Sequence, residues 1–242
     1  MNVFVTAYSQ SDFFGKLIFL GLLILSAVCW VVLLHKTWLT RKVREVSSAF
    51  QSAVQQNSDP LFSLDVTDLP KTRAKIPHPF AEIFFSLKQK AVEVLNKNRY
   101  FSSQAGASKS QAVYLSRGDL DLIESHVLTT ISIQAKQLEK NLFILSTVVT
   151  LAPFLGLLGT VWGIVITFSE LHGGTAGSSA MILGGLSTAL AATVIGLLIA
   201  IPALISYNYL KQTSKNLSSD MEDFLYMLLS RVELQYRKAD IE

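Results

Sequence analysis

Two hydroxyls, Thr160 and Thr193, sit in segments that hold no titratable side chain, and each lies on a stripe of small residues. In residues 151–168, "LAPFLGLLGTVWGIVITF", helical spacing of about 100° per residue sorts the side chains into two groups. Pro153, Gly156, Gly159, Thr160, Gly163 and Thr167 fall within roughly 120° of one another, and Phe154, Leu158, Val161 and Val165 lie opposite. Farther along, Gly185, Ala189, Ala192, Thr193, Gly196, Ala200 and Ala203 form a second small face. Hydroxyls position water and relay protons, but they do not titrate near neutral pH. Small faces let helices approach closely, where packing and interhelical hydrogen bonds replace the missing hydrophobic drive. The two stripes therefore read either as packing seams or as faces that line a passage or hold another protein's helix.

A proton path through a membrane normally needs an intramembrane carboxylate or histidine. Residues 17–34, 142–168 and 181–206, the three apolar runs, contain no Asp, Glu, Lys, Arg or His. If the chain handles protons, a partner brings the titrating group. His35, His78, His126 and His172 share no ligand spacing, so no metal site is expected. Cys29 is the single cysteine and reads as a small hydrophobe. Glu170 and His172 read as solvated rim residues. No phosphate loop, nucleophile motif or pair of catalytic carboxylates is present, so no catalytic residue, cofactor or enzymatic activity is expected.

The elements that must position these hydroxyls are membrane helices. The chain has 242 residues, of which 50% are hydrophobic and 16% charged, with a mean hydropathy of +0.39. Each apolar run approaches or exceeds the roughly 20 residues that cross a bilayer. The first run leads into His35, Lys36, Arg41, Lys42 and Arg44 with no small-residue cleavage site, which marks an uncleaved span with a stop-transfer flank. Basic flanks stay in the cytoplasm. Residues 1–16 are thus expected outside, 35–141 inside, 169–180 outside and 207–242 inside. Lys136, Lys140, Lys211 and Lys215 agree with that orientation. The net charge of +3 and the absence of long basic runs argue against nucleic-acid binding.

An all-α membrane protein is expected, with three transmembrane helices extended by a cytoplasmic helical bundle. Val43, Val46, Phe50 and Val54 recur at helical spacing, as do Phe80, Ile83, Phe84, Leu87, Ala91 and Leu95. Pro60, Pro70, Pro77 and Pro79 make residues 57–79 a linker, and residues 102–111 read as a small polar loop. From Asp119 a pattern of Leu122, Ile123, Val127, Ile131 and Ile133 runs on without Pro or Gly, which predicts one long helix continuing into the second span. Leu210, Leu217, Met221, Phe224, Leu228 and Val232 mark an amphipathic tail.

"APFLGLLGTVWGI" and "LSTALAATVIGLLIAIPALISYN" together resemble the MotA/TolQ/ExbB proton-channel family, and "KLIFLGLLILSAVCWVVLLHKTWL" resembles the first span of its TolQ branch. The resemblance implies a subunit of the bacterial inner membrane with a periplasmic N-terminus and a cytoplasmic C-terminus. It implies a homo-oligomeric ring, usually a pentamer, around single-span partner helices of the TolR/ExbD type that bring a protonatable Asp. Proton flow would then move a TolA- or TonB-like protein. Two family threonines line the channel, and they fall on Thr160 and Thr193. The glycine–hydroxyl face would be where subunits pack and the partner's helix moves. Many members of the TolQ and ExbB branches carry Glu five residues before the second threonine; that place is Thr188 here, about 140° around the wheel from Thr193, so the two cannot face one lumen. The short stretch before the first span favours a TolQ-like role in envelope integrity and division over an ExbB-like role in TonB-dependent import. A passive scaffold stands as the reading from a different class.

Overall fold

Asp12 opens the first helix. Its carboxylate Oδ1 accepts the backbone N–H of Gly15 at 2.9 Å, and its carbonyl accepts that of Lys16 at 3.0 Å. This is an N-cap, which satisfies donors that a helix start leaves without intrahelical partners. Helix α1, Phe13–Gln56, then runs for 44 residues, with no Gly or Pro after Gly21 to interrupt it. The computed structural model describes residues 11–56, 77–104, 114–172 and 179–236, with residues 5, 8 and 9 before them. Of the expected linker 57–79, only Pro77, His78 and Pro79 fall among these; most of the polar loop at 102–111, residues 173–178 and the last six residues lie outside them.

Four more helices follow: α2 (Pro79–Gln104), α3 (Arg117–Glu139), α4 (Leu142–His172) and α5 (Ser179–Tyr236). Pro79 suits the first helical position, where its missing N–H costs nothing. The imidazole of His78 takes the cap, with Nδ1 accepting the N–H of Ala81 at 3.2 Å. Helix α3 starts with a capping box. Asp119 N–H donates to Ser116 Oγ at 3.2 Å, and Ser116 N–H donates to Asp119 Oδ2 at 2.9 Å. Burial pushes the Asp119 carboxyl up, but the bonds from Ser116 and from Asn98 outweigh it and hold the group below the usual carboxylate range.

The single helix expected from Asp119 into the second span is broken. Lys140 and Asn141 form a turn between α3 and α4, and Asn141 has φ 70°. Asn is one of the few residues that enter the left-handed region readily, so it ends a helix without Gly or Pro.

The chain forms two compact units, residues 1–37 with 140–211 and residues 38–139 with 212–242. The second, the bundle unit, has a core of large side chains. Phe50, Phe80, Phe84 and Phe224 are buried there, with ring centroids 4.9 Å apart for Phe80–Phe224 and 6.0 Å for Phe50–Phe84. The faces read from spacing are largely those that pack: Val43, Phe50, Val54, Ile83, Leu87, Ile123, Val127, Ile131, Leu217, Met221, Leu228 and Val232 are all buried. Leu122 and Ile133 are exposed instead, because the buried line of α3 runs through Ile123, Val127, Ile131 and Leu138, at steps of four, four and seven that pass both by. Two bonds tie this unit further: Arg231 donates to Val54 O at 2.7 Å, in the last turn of α1, and Leu115 N–H donates to Tyr236 O at 2.9 Å.

The first, the span unit, holds the apolar parts of α1, α4 and α5. These three helices are long and apolar enough to cross a membrane, which makes the chain a multi-pass membrane protein.

Candidate functional site

The small stripes of α4 and α5 meet each other inside one chain. A Cβ on Gly156 would lie 2.9 Å from Thr193 Cα, one on Gly196 would lie 2.6 Å from Ala152 O, and one on Gly163 would lie 2.7 Å from Ala189 Cβ. Gly159 faces Ala192, with Ile18 of α1 beside it, and a Cβ on Gly185 would run into Thr167 Oγ1. Ala189 and Ala200 are buried, and Pro153 is half-buried. As a proline it cannot donate to the carbonyl of Val149 one turn earlier. The sequence reading placed a contact between subunits on Gly156, Gly159 and Gly163; here their close approach serves the α4–α5 and α4–α1 contacts of the same chain.

That approach sets the hydroxyls. Thr193 Oγ1 donates across the helix pair to Gly156 O at 3.0 Å, a carbonyl within reach because Gly156 has no side chain. Thr160 is 9% exposed and donates to Leu157 O at 2.7 Å. Thr167 donates to Gly163 O at 2.8 Å and Thr188 to Gly184 O at 2.9 Å. In each case the proton goes to a carbonyl, while the oxygen keeps lone pairs that can accept from water or a carboxylic acid.

The two threonines of the motifs differ from Thr188 in surroundings. Thr188 lines a cleft of about 360 Å³ together with Ser11, Asp12, Trp162 and Thr167; Thr160 and Thr193 are not among its lining residues. Thr193 is bonded to α4 instead, in keeping with the angle between them on the wheel.

Two features of this unit escape a reading by periodicity. Trp162 Nε1 donates to Asp12 Oδ2 at 3.0 Å across 150 positions of sequence, and the Trp162 ring lies against Phe14 with centroids 4.4 Å apart. Burial pushes the Asp12 carboxyl up, but the bonds from Trp162 and from the Gly15 and Phe14 backbone exceed that and leave it below its ordinary value. The only local signal was an acidic residue just ahead of a long apolar helix. Lys36, read as part of a basic flank, is 5% exposed. Its burial, and then the charge of Lys140, push its ammonium below the ordinary lysine value. The side chains of Glu170 and His172 lie outside the described set.

The chain is thus a multi-pass membrane protein whose second and third apolar runs, residues 142–168 and 181–206, are uncharged and bear hydroxyls. Comparison with known proteins gives it a family. The model of the MotA/TolQ/ExbB proton channel family matches residues 97–223. The Tol-Pal system protein TolQ of Haemophilus influenzae is 38% identical over 92 residues, 38% of this chain and 40% of that protein. The biopolymer transport protein ExbB of Aquifex aeolicus is 42% identical over 87 residues, 36% of this chain and 59% of the relative. The ExbB of Neisseria gonorrhoeae is 23% identical over 215 residues, 89% of this chain and 90% of the relative. The matched stretch is thus less than half of the TolQ relative, and neither branch stands clearly nearer. The chain belongs to the MotA/TolQ/ExbB proton channel family.

Proposed function

We propose that the chain is a proton-channel subunit of the bacterial inner membrane. It forms a homo-oligomeric ring, a pentamer as in the family at large, around a single-span partner of the TolR/ExbD type. Residues 1–16 and 169–180 face the periplasm, and 35–141 and 207–242 face the cytoplasm. The observation that carries this reading is the α4–α5 pair. It brings Thr160 and Thr193 together in apolar stretches, residues 142–168 and 181–206, that contain no titratable group. A charge alone at mid-bilayer costs several kcal/mol by insertion scales. A partner carboxylate entering here therefore needs these hydroxyls, or water on them, to exchange its proton.

The work done is TolQ-like. Proton flow acts through the partner on a TolA-like protein and serves outer-membrane integrity and cell division. The support is the likeness of the first span to that branch and the match to the Haemophilus protein. An ExbB-like role, energising TonB-dependent import, draws on the match to the Neisseria protein over 89% of this chain. Rescue of a strain lacking TolQ, compared with rescue of one lacking ExbB, separates the two.

The channel reading is tested by proton influx into vesicles holding this chain and its partner under an imposed gradient. The double substitution Thr160→Val and Thr193→Val keeps shape and removes both hydroxyls. It should preserve assembly and lower influx by about tenfold or more, the scale of losing positioned proton-transfer groups. Serine at the same places should restore part of it. Wild-type influx in the double variant would make these threonines packing residues and favour the passive scaffold.

A further inference from the structure

We infer that the cleft between the start of α1 and the helices α4 and α5 is a water-filled vestibule through which protons reach the channel from the periplasmic side, with Asp12 as its collecting carboxylate. The inference rests on the proposed function, which supplies the orientation and the proton flow.

The cleft has the shape and lining of an access route. Its volume is about 360 Å³, room for a string of waters at about 30 Å³ each. Ser11 and Asp12 lie at the α1 end, and Gly184, Gly185, Thr188, Ala189 and Ala192 run along α5. From Gly184 to Ala192 is roughly 12 Å at 1.5 Å per residue. The far end is walled by Gly159 and Ala192, the chain neighbours of Thr160 and Thr193. The cleft thus descends from the outer end to the depth of the two motif threonines. Small residues leave the space open; a Cβ built on Gly184 would meet nothing within 4 Å.

The polar groups suit water rather than a lipid tail. Thr167 and Thr188 have given their protons to Gly163 O and Gly184 O, so both oxygens are left as acceptors toward the cleft. Among the described residues of the lining, Asp12 is the only charged one; Lys16, one turn on, is not part of it. The indole of Trp162 and the N–H of Gly15 each hold one carboxylate oxygen, which keeps the charge in place at the mouth. A fixed negative charge at the entrance of a low-dielectric cleft concentrates cations there, and the effect weakens with salt.

The test uses the full chain with its partner in vesicles, with proton influx measured at low and at high ionic strength. Asn caps a helix as well as Asp, so Asp12→Asn removes the charge and keeps the start of α1. Influx at low salt should fall about three- to tenfold, and the salt dependence should flatten; Asp12→Glu should retain more of both. An independent arm places Thr188→Cys on a Cys29→Ala background, where an impermeant maleimide added outside should label it. Wild-type influx with wild-type salt dependence in Asp12→Asn overturns the inference, and so does a Thr188→Cys that stays unlabelled. If the wild-type complex conducts nothing, it is the channel reading that fails.

Discussion

The span unit and the bundle unit are both helical, yet their closest helix contacts are built from residues of opposite size. Contacts in the bundle unit are made by Phe50, Phe80, Phe84 and Phe224. The α4–α5 contact in the span unit is made by Gly156, Gly163, Gly185, Ala189, Ala192 and Gly196. Away from that contact, large side chains such as Phe154 and Leu183, each 67% exposed, point outward, while Leu145 and Leu210 are buried against other parts of the span unit. The difference follows from the solvent. In water, burying a large apolar side chain is favourable by about 1.5–3 kcal/mol, so big residues go inside. In lipid that drive is absent, and close backbone approach with shared hydrogen bonds takes its place. The bundle should therefore be intolerant of losing volume, and the helix pair intolerant of gaining it.

The strongest test of that contrast is Gly196→Leu. Even a Cβ there would lie 2.6 Å from the Ala152 carbonyl oxygen, a backbone atom that cannot swing away. The expected outcome is loss of the folded span unit, read as loss of monodisperse protein in detergent and of protease resistance. A variant that purifies and resists protease like wild type would refute the close α4–α5 approach. Next in size is Phe224→Ala, which empties a buried aromatic site in the bundle. It should cost about 3–5 kcal/mol in a denaturation midpoint series, while leaving the Thr193–Gly156 bond unaltered.

A smaller effect separates the units by pH. The His78 ring caps α2 through Nδ1, which accepts only while it is unprotonated. Burial, above all, pushes the His78 pKa below its ordinary value, although its own backbone and Glu82 act the other way. The unfolded chain therefore takes a proton first as pH falls. Stability is complete above the ordinary histidine range and is lost as pH drops from about 6.5 toward the lower folded value. His78→Asn should keep a cap and lose this dependence; a wild-type melting curve unchanged between pH 7.5 and 5.5 would contradict it. The smallest effect is Thr193→Val, which removes the bond to Gly156 O. Such bonds average about 0.6 kcal/mol in membranes, so a change in thermal midpoint near the limit of detection is expected.

What could be read in advance followed the same physics. Regular burial writes a period, so Phe80, Ile83, Phe84 and Leu87 announced the face of α2, and the small stripes marked faces suited to close helix packing without naming their partner. The wheel also separated Thr188 from Thr193. Periodicity is silent about a break made by a single left-handed residue, so Asn141 passed unnoticed between two apolar patterns. It is equally silent about contacts between distant positions. Asp12 and Trp162 meet only because α1 folds back along α4, and neither residue signals the other locally. For the same reason the stripes did not tell whether they would face another subunit or a helix of their own chain.

The bond from Thr193 to Gly156 has a further consequence, in populations and rates. A bond of about 0.6 kcal/mol is close to thermal energy, so a hydroxyl held by it is released for roughly a quarter of the time. Side-chain rotation takes picoseconds to nanoseconds, far shorter than the microseconds to milliseconds of a collective helix movement. At rest the Thr193 proton points toward a backbone oxygen. On the proposed function, a partner acid would meet a hydroxyl that has sampled both directions many times over before the helix carrying that acid has moved, and reorientation of this residue would set no speed limit on the cycle.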